Sequence, residues 1–168
     1  MELLVVRHAV AKDREAFARA GRDDGDRPLT KSGRREFKRA ARGITRLVRE
    51  VDVLATSPLA RAAETARILA SALGTGRPVV RDELKPGRAA RALVAWLGRH
   101  GRTKTVAIVG HEPDLSRLVA RLTTGREGDF VDLGKGGACL IAFDGAALSG
   151  LGKVRWLATA SQLGKLAR

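Results

Sequence analysis

Residues 2–11 read Glu2-Leu3-Leu4-Val5-Val6-Arg7-His8-Ala9-Val10-Ala11, an apolar run that stops abruptly at a cation and a histidine. Residues 105–111, Thr105-Val106-Ala107-Ile108-Val109-Gly110-His111, also end an apolar run in a histidine, with Gly110 where the first has the cation. Nearly continuous β-branched runs of this length mark strands buried on both faces of a parallel sheet. The sequence predicts strands over Glu2–Val6, Val51–Ala55 and Thr105–Val109, then a hairpin-type pair over Ala138–Phe143 and Val154–Ala158 around a turn-rich stretch. Helical segments alternate with these strands. That alternation predicts an α/β fold, a three-layer α/β/α sandwich with a mostly parallel central sheet.

Phe37, Ala40, Ala41, Ile44, Leu47, Val48 and Val51 recur at three- and four-residue spacing, while Arg34, Lys38, Arg42, Arg46 and Arg49 fall on the other faces. The first expected helix is therefore amphipathic. Thr30 or Ser32 caps it, and Gly33 denies Thr30 a reciprocal capping box. A second helix carries Leu59, Ala62, Ala63, Ala66, Leu69 and Leu73, with Ser57 as N-cap, Pro58 in the first turn and Gly74 as the stop. Weaker helical patterns cover 88–97 and run from 113 or 114 to 122. Residues 12–28 read as a loop with one short helix at most. Leaving the first strand at its carboxyl end, that loop borders the place where open α/β sheets bind ligands.

The chain has 168 residues and a formal charge of +14, and 44% of its residues are hydrophobic. This fits one globular domain over 1–168, large enough to bury about two-thirds of its unfolded surface. Cys139 is the only cysteine, so no intramolecular disulfide forms, and no Cys/His spacing suggests zinc. Arg7 ends the first apolar run far short of a signal core or membrane span. A cytoplasmic protein without membrane contact is expected. Of the 32 cations 24 are arginine, a bias that GC-rich coding produces without a selected partner. The rival reading is attraction to phosphorylated molecules or nucleic acid. Charge alone does not choose between them.

Two of the three histidines, His8 and His111, follow predicted parallel strands directly, which brings both to one sheet edge. His100 stands before Gly101 at a helix end and reads as structural. A third strand end supplies Thr56-Ser57-Pro58-Leu59-Ala60-Arg61, placing Arg61 one turn into a helix whose N-terminus favours phosphate. Arg7 and Arg61 are forks for phosphate oxygens at any working pH. Together with the two histidines they form a cationic pocket.

These residues resemble the histidine phosphatase superfamily, which includes cofactor-dependent phosphoglycerate mutases, and within it the SixA-like phosphohistidine phosphatase branch. The Arg-His signature is Arg7-His8, the second arginine is Arg61 in Thr56–Ala66, and the second histidine is His111 in the stretch from Val106 to Leu115. Residues 27–36, the loop over 13–30 and a chain this short without an inserted cap look like the SixA-like branch. The resemblance implies a phosphoglycerate mutase-like fold and a phosphohistidine on His8. It also implies that Arg7, Arg61 and His111 bind and stabilise the transferred phosphoryl group. An unperturbed imidazole is largely neutral at about pH 7, so His8 attacks without a strong base. Phosphoryl transfer needs in-line positioning and charge neutralisation, both within reach of these cations, and no metal or other cofactor is expected. His111 is expected to act as a donor or cation.

The family's Arg-His-Gly is Arg7-His8-Ala9 here. Many members carry an acidic residue after the third strand. Glu83 is the expected general acid, with Asp26 and Asp82 behind it, although Pro86 occupies one usual slot for the acid. The leading expectation is a phosphatase acting on phosphohistidine in a protein. A small phosphorylated metabolite on the same site is the alternative, and a basic nucleic-acid-binding module the non-enzyme reading. Four Phe, two Trp and no Tyr argue against stacking platforms for single strands. Gly134-Lys135-Gly136-Gly137 fails as a P-loop, having Gly136 where Ser or Thr must bind magnesium.

Overall fold

A computed structural model describes residues 1–88, 90–101, 104–128 and 130–167 of the chain. Ala89, within the helix expected over 88–97, and Arg102, Thr103, Asp129 and Arg168 of the expected 1–168 domain lie outside the described residues. One six-stranded sheet runs in the order β3-β2-β4-β1-β5-β6. Its strands are β1 (Glu2–Arg7), β2 (Val53–Thr56), β3 (Val79–Val80), β4 (Thr105–Gly110), β5 (Ala138–Ala142) and β6 (Lys153–Ala158). The first four are mutually parallel, and β5 runs antiparallel to both β1 and β6. The expected mostly parallel sheet and its closing hairpin are therefore present.

Alternation along β1 explains the layers. Leu4 and Val6 face one side, where they meet α2 (Lys31–Leu47), α3 (Ala60–Leu73) and α6 (Ala160–Leu166); Leu3 and Val5 face the other, against α4 (Ala90–Gly98) and α5 (Asp114–Thr124). Both faces of the central strands are fully buried, so apolar residues at successive positions are required. Cys139 of β5 lies in the second core, where burial pushes its thiol up to about 11.

Thr30 caps α2 by accepting from the Gly33 amide at 2.9 Å. The expected cap of α3 is corrected: Leu59 takes that position with no side-chain hydrogen bond, and Ser57 stands two residues earlier, its Oγ accepting from the Leu59 amide at 3.3 Å. Gly74 ends α3 at φ 66°, as expected. The 12–28 segment holds α1 (Arg14–Arg19) and a 3-10 turn at Asp24–Asp26. Besides a 3-10 turn at Asp82–Leu84, two elements were not expected, the two-residue β3 and the C-terminal α6. The latter has a full capping box, Thr159 and Gln162 each satisfying the other's backbone. Its contact with α2 is close enough that a Cβ at Gly43 would stand 1.8 Å from the Leu163 carbonyl oxygen. Gly43→Ala should therefore cost about 1–3 kcal/mol of stability, read as a lower midpoint in urea denaturation. An unchanged midpoint would mean that α6 does not dock as described.

Candidate active site

The β1–β4 pairing places Arg7 opposite Gly110, so the next residues, His8 and His111, leave the sheet side by side. The ladder continues past the strands, with the His8 amide donating to Gly110 O at 3.1 Å and the Ser57 amide to Val109 O at 3.0 Å. The two imidazoles lie 5.1 Å apart between ring centroids. The loop before β5 supports His8 from the other side: the Gly136 amide donates to His8 O and the Arg7 amide to Gly137 O, each at 3.1 Å. Gly136 holds φ 73°, and an added Cβ would crowd Phe37 and Ala160. The Gly134–Gly137 stretch is thus a brace for the first histidine.

His8 Nδ1 lies 2.7 Å from Ala9 O. A carbonyl only accepts, so Nδ1 carries the proton and Nε2 keeps the lone pair. Ala9 is fixed in turn, its amide donating to Thr65 Oγ1, which donates to Arg61 O one helical turn earlier. Burial, with the charges of Arg61, Arg7 and Arg27 adding to it and the Ala9 bond opposing it, lowers the His8 pKa to about 4. His111 is lowered to about 3, first by burial and then by His8 and Arg61. With these neighbours it is a neutral ring. Its Nε2 lies 2.8 Å from Ser57 Oγ.

A cleft of about 610 Å³ opens at this edge, lined by Arg7, His8, Arg61 and His111 with Asp24, Arg27, Lys12, Lys135 and Glu112. Arg7 donates through one terminal nitrogen to Leu133 O at 2.7 Å. Arg61 donates to Asp24 O at 2.8 Å and pairs with Asp24 Oδ2 at 3.1 Å. Arg27 Nε also bonds the Asp24 carboxylate, at 2.8 Å. Burial works to raise the Asp24 pKa, but Arg27 and Arg61 outweigh it and hold the carboxyl below its usual range. The buried Nε atoms of Arg7 and Arg61 and the His111 Nδ1 have no partner within the protein. Three groups, the Arg7 and Arg61 guanidinium ions and the His111 ring, thus stand beside one unprotonated ring nitrogen in the cleft, an arrangement suited to an oxyanion such as phosphate.

The acidic residues fall differently from expectation. Glu83 lines a neighbouring cavity of about 290 Å³ that shares only His111 with the cleft. The Arg81 hydrogen bond holds its carboxyl below the usual range, the reverse of what a general acid needs. Asp82 is paired with Lys85, and Asp26 belongs to the exposed part of the 3-10 turn. Glu112 is the carboxyl that the sequence reading passed over. It borders the His8 cleft, its Oε1 is buried without a partner, and burial raises its pKa against the opposing pull of Ser116 and Arg7. Its position directly after His111 was the available signal. His100 packs against Trp96 at 4.6 Å, within α4 and its end.

Among the described residues no group of three or more His, Cys, Asp or Glu is placed to hold a metal, and no helix is long and apolar enough to cross a membrane. A family model for the histidine phosphatase superfamily (branch 1) matches residues 3–85. A protein of Picosynechococcus sp. described as uncharacterized is 37% identical over 139 residues, 82% of each chain. The protein histidine phosphatase SixA in complex with tungstate superposes with a TM-score of 0.81 at 24% identity, covering 97% of this chain and 99% of that one. A Nakamurella multipartitia protein provisionally described as a SixA phosphohistidine phosphatase gives 0.73 at 25% identity, covering 94% of each chain.

The lowered pKa values have a consequence for stability. Unfolded histidines take up protons near pH 6.5, whereas folded His8 and His111 stay neutral down to about 4 and about 3. The unfolded chain therefore binds more protons in that window, and stability is lost as pH falls from 6.5 toward 4. Urea denaturation across this range should show the decline. His8→Asn combined with His111→Asn should flatten it, and an equally steep slope in the double variant would assign the decline to other groups.

Proposed function

The chain belongs to the histidine phosphatase superfamily, and from that premise we propose that its one domain is a metal-independent phosphatase that removes phosphate from phosphohistidine in a protein. The observation that carries this reading is the bond from His8 Nδ1–H to Ala9 O, which leaves Nε2 as a neutral nucleophile among Arg7, Arg61 and His111.

In the first step the His8 Nε2 lone pair forms a bond to phosphorus while the bond from phosphorus to the leaving nitrogen or oxygen breaks, its electron pair departing with that atom. Arg7, Arg61 and the His111 donor take up charge on the equatorial oxygens, which is most of what such a transfer requires. Glu112, whose burial favours the protonated form, gives a proton to a poor leaving group. Water then attacks phosphorus with Glu112 as base, the Nε2–P bond returns its pair to the ring, and inorganic phosphate leaves. A phosphohistidine protonated at its other ring nitrogen departs as a neutral imidazole and takes no proton from Glu112, and in that case the attacking water leaves its protons on the released phosphate. A small phosphorylated metabolite is the second reading, supported by the neighbouring cavity that opens beside His111.

The test is an acid-free rapid quench of wild type and His8→Ala with a phosphohistidine-bearing protein and, separately, para-nitrophenyl phosphate. Acid-labile labelling that requires His8, with faster turnover of the phosphoprotein, is expected. Labelling from the ester alone would favour the metabolite reading, and full activity in His8→Ala would end the mechanism. Arg61→Ala should cost about 2.7–4 kcal/mol in kcat/KM, with kcat falling, as for loss of one preorganised donor. Glu112→Gln should slow alkyl phosphates far more than phosphohistidine, while Glu83→Gln slows neither. The opposite ranking would return the acid role to Glu83.

A further inference from the structure

α2 begins where the 12–28 segment returns to the end of β1, so its first turn stands at the catalytic edge, where the Thr30 amide donates to Val10 O at 2.9 Å and Arg34 pairs with Glu64 of α3. Away from that pair the helix presents Lys31, Arg35, Lys38, Arg39, Arg42 and Arg46 to solvent, and among the described residues none of them has an ion-pair partner. The spacing is three and four residues, so like charges stand above one another along one stripe, which costs an isolated helix about 0.2–0.5 kcal/mol per pair. Lys31 occupies the first turn, where the helix dipole disfavours a cation and no acidic residue is present. Only Arg46, in the last turn, stands where the dipole favours a cation, so the rest of the stripe opposes the stability of its own helix.

Across from it α3 adds Arg67. Lys38, Arg42 and Arg67 rim a groove of about 450 Å³ whose floor is Ile68 and Ala72 with Ser71 beside them. Cations around an apolar floor match a surface that carries carboxylates beside an apolar side chain. A nucleic-acid backbone would engage the cations and leave the floor unused, and the one aromatic of α2, Phe37, is buried.

We propose that the α2–α3 face docks an acidic patch on the phosphohistidine-bearing protein, aligning it so that the phosphorylated side chain reaches His8 past the N-terminal end of α2. This rests on the phosphohistidine reading above. The face supplies rim charge, which acts on encounter and is screened by salt, and it takes no part in the chemistry.

The experiment compares wild type with the triple variant Lys38→Glu, Arg42→Glu, Arg67→Glu, and with the corresponding triple Gln variant. Substrates are a net-acidic phosphohistidine-bearing protein and N-phosphoimidazole, and binding of the unphosphorylated carrier is followed by fluorescence anisotropy. At low salt the Glu variant should lose about tenfold or more in kcat/KM on the protein with kcat nearly unchanged, and the Gln variant should lose less. Rates on N-phosphoimidazole should be the same for all three proteins, and high salt should bring wild type down toward the variants. Equal kcat/KM on the protein for all three would overturn the proposal, as would a matching fall on N-phosphoimidazole. If wild type cleaves neither substrate, the phosphohistidine reading fails by itself. Carrier binding then decides the docking face alone: affinity lost in the Glu variant upholds it, and unchanged affinity rejects it. Loss of single-stranded oligonucleotide binding without loss of carrier binding would assign the face to nucleic acid and overturn it.

Discussion

Six residues of β1 lie beside six of β4 in unbroken parallel register, from Glu2 opposite Thr105 to Arg7 opposite Gly110. Almost everything at the catalytic edge depends on that pairing. The side-chain period of a strand is two, so a slip of one residue would exchange the two cores and turn His8 away from His111. The register is held by Leu4 and Val6 packing to one side and Leu3 and Val5 to the other, with no exposure at any of the four. Hydrophobic packing throughout the sheet thus sets the position of two polar rings at its end.

Those rings are neutral because they are buried among cations, and the same burial makes the cations effective. Arg61 is almost fully enclosed, with its charge balanced on one side by Asp24. On the function proposed above, a phosphoryl group entering the cleft supplies the remaining negative charge in a setting less screened than water. The proposed nucleophile and the cations around it therefore share a single cause, the desolvation of a strand edge closed by the Gly134–Gly137 loop and the Asp24 turn.

The strands, the two helices flanking them and the convergence of Arg7, His8, Arg61 and His111 at one sheet edge were legible because periodicity and chain order carry them. What escaped depends on contacts that no local pattern encodes. Ser57 looks like a helix cap by position, yet its hydroxyl bonds an imidazole 54 residues away. β3 is two exposed valines that become a strand only by pairing with β2. Glu83 and Glu112 are both acidic residues near the site, and only the folded arrangement gives one an arginine partner and the other a buried oxygen facing none. The C-terminal helix was open to detection, since Thr159 and Gln162 form a recognisable capping pair, and Gly43 has no other evident reason to interrupt α2.

Cys139 has a practical use that follows from its burial. Its thiol sits inside the second core with its ionisation suppressed, so thiolate, the form that reacts with maleimides and iodoacetamides, is scarce at neutral pH. The native protein is thus a silent background for thiol labelling. A single cysteine introduced on the 12–28 loop or along α2 would take a fluorophore or spin label selectively, allowing distances across the cleft to be followed in solution without first removing a residue from the core.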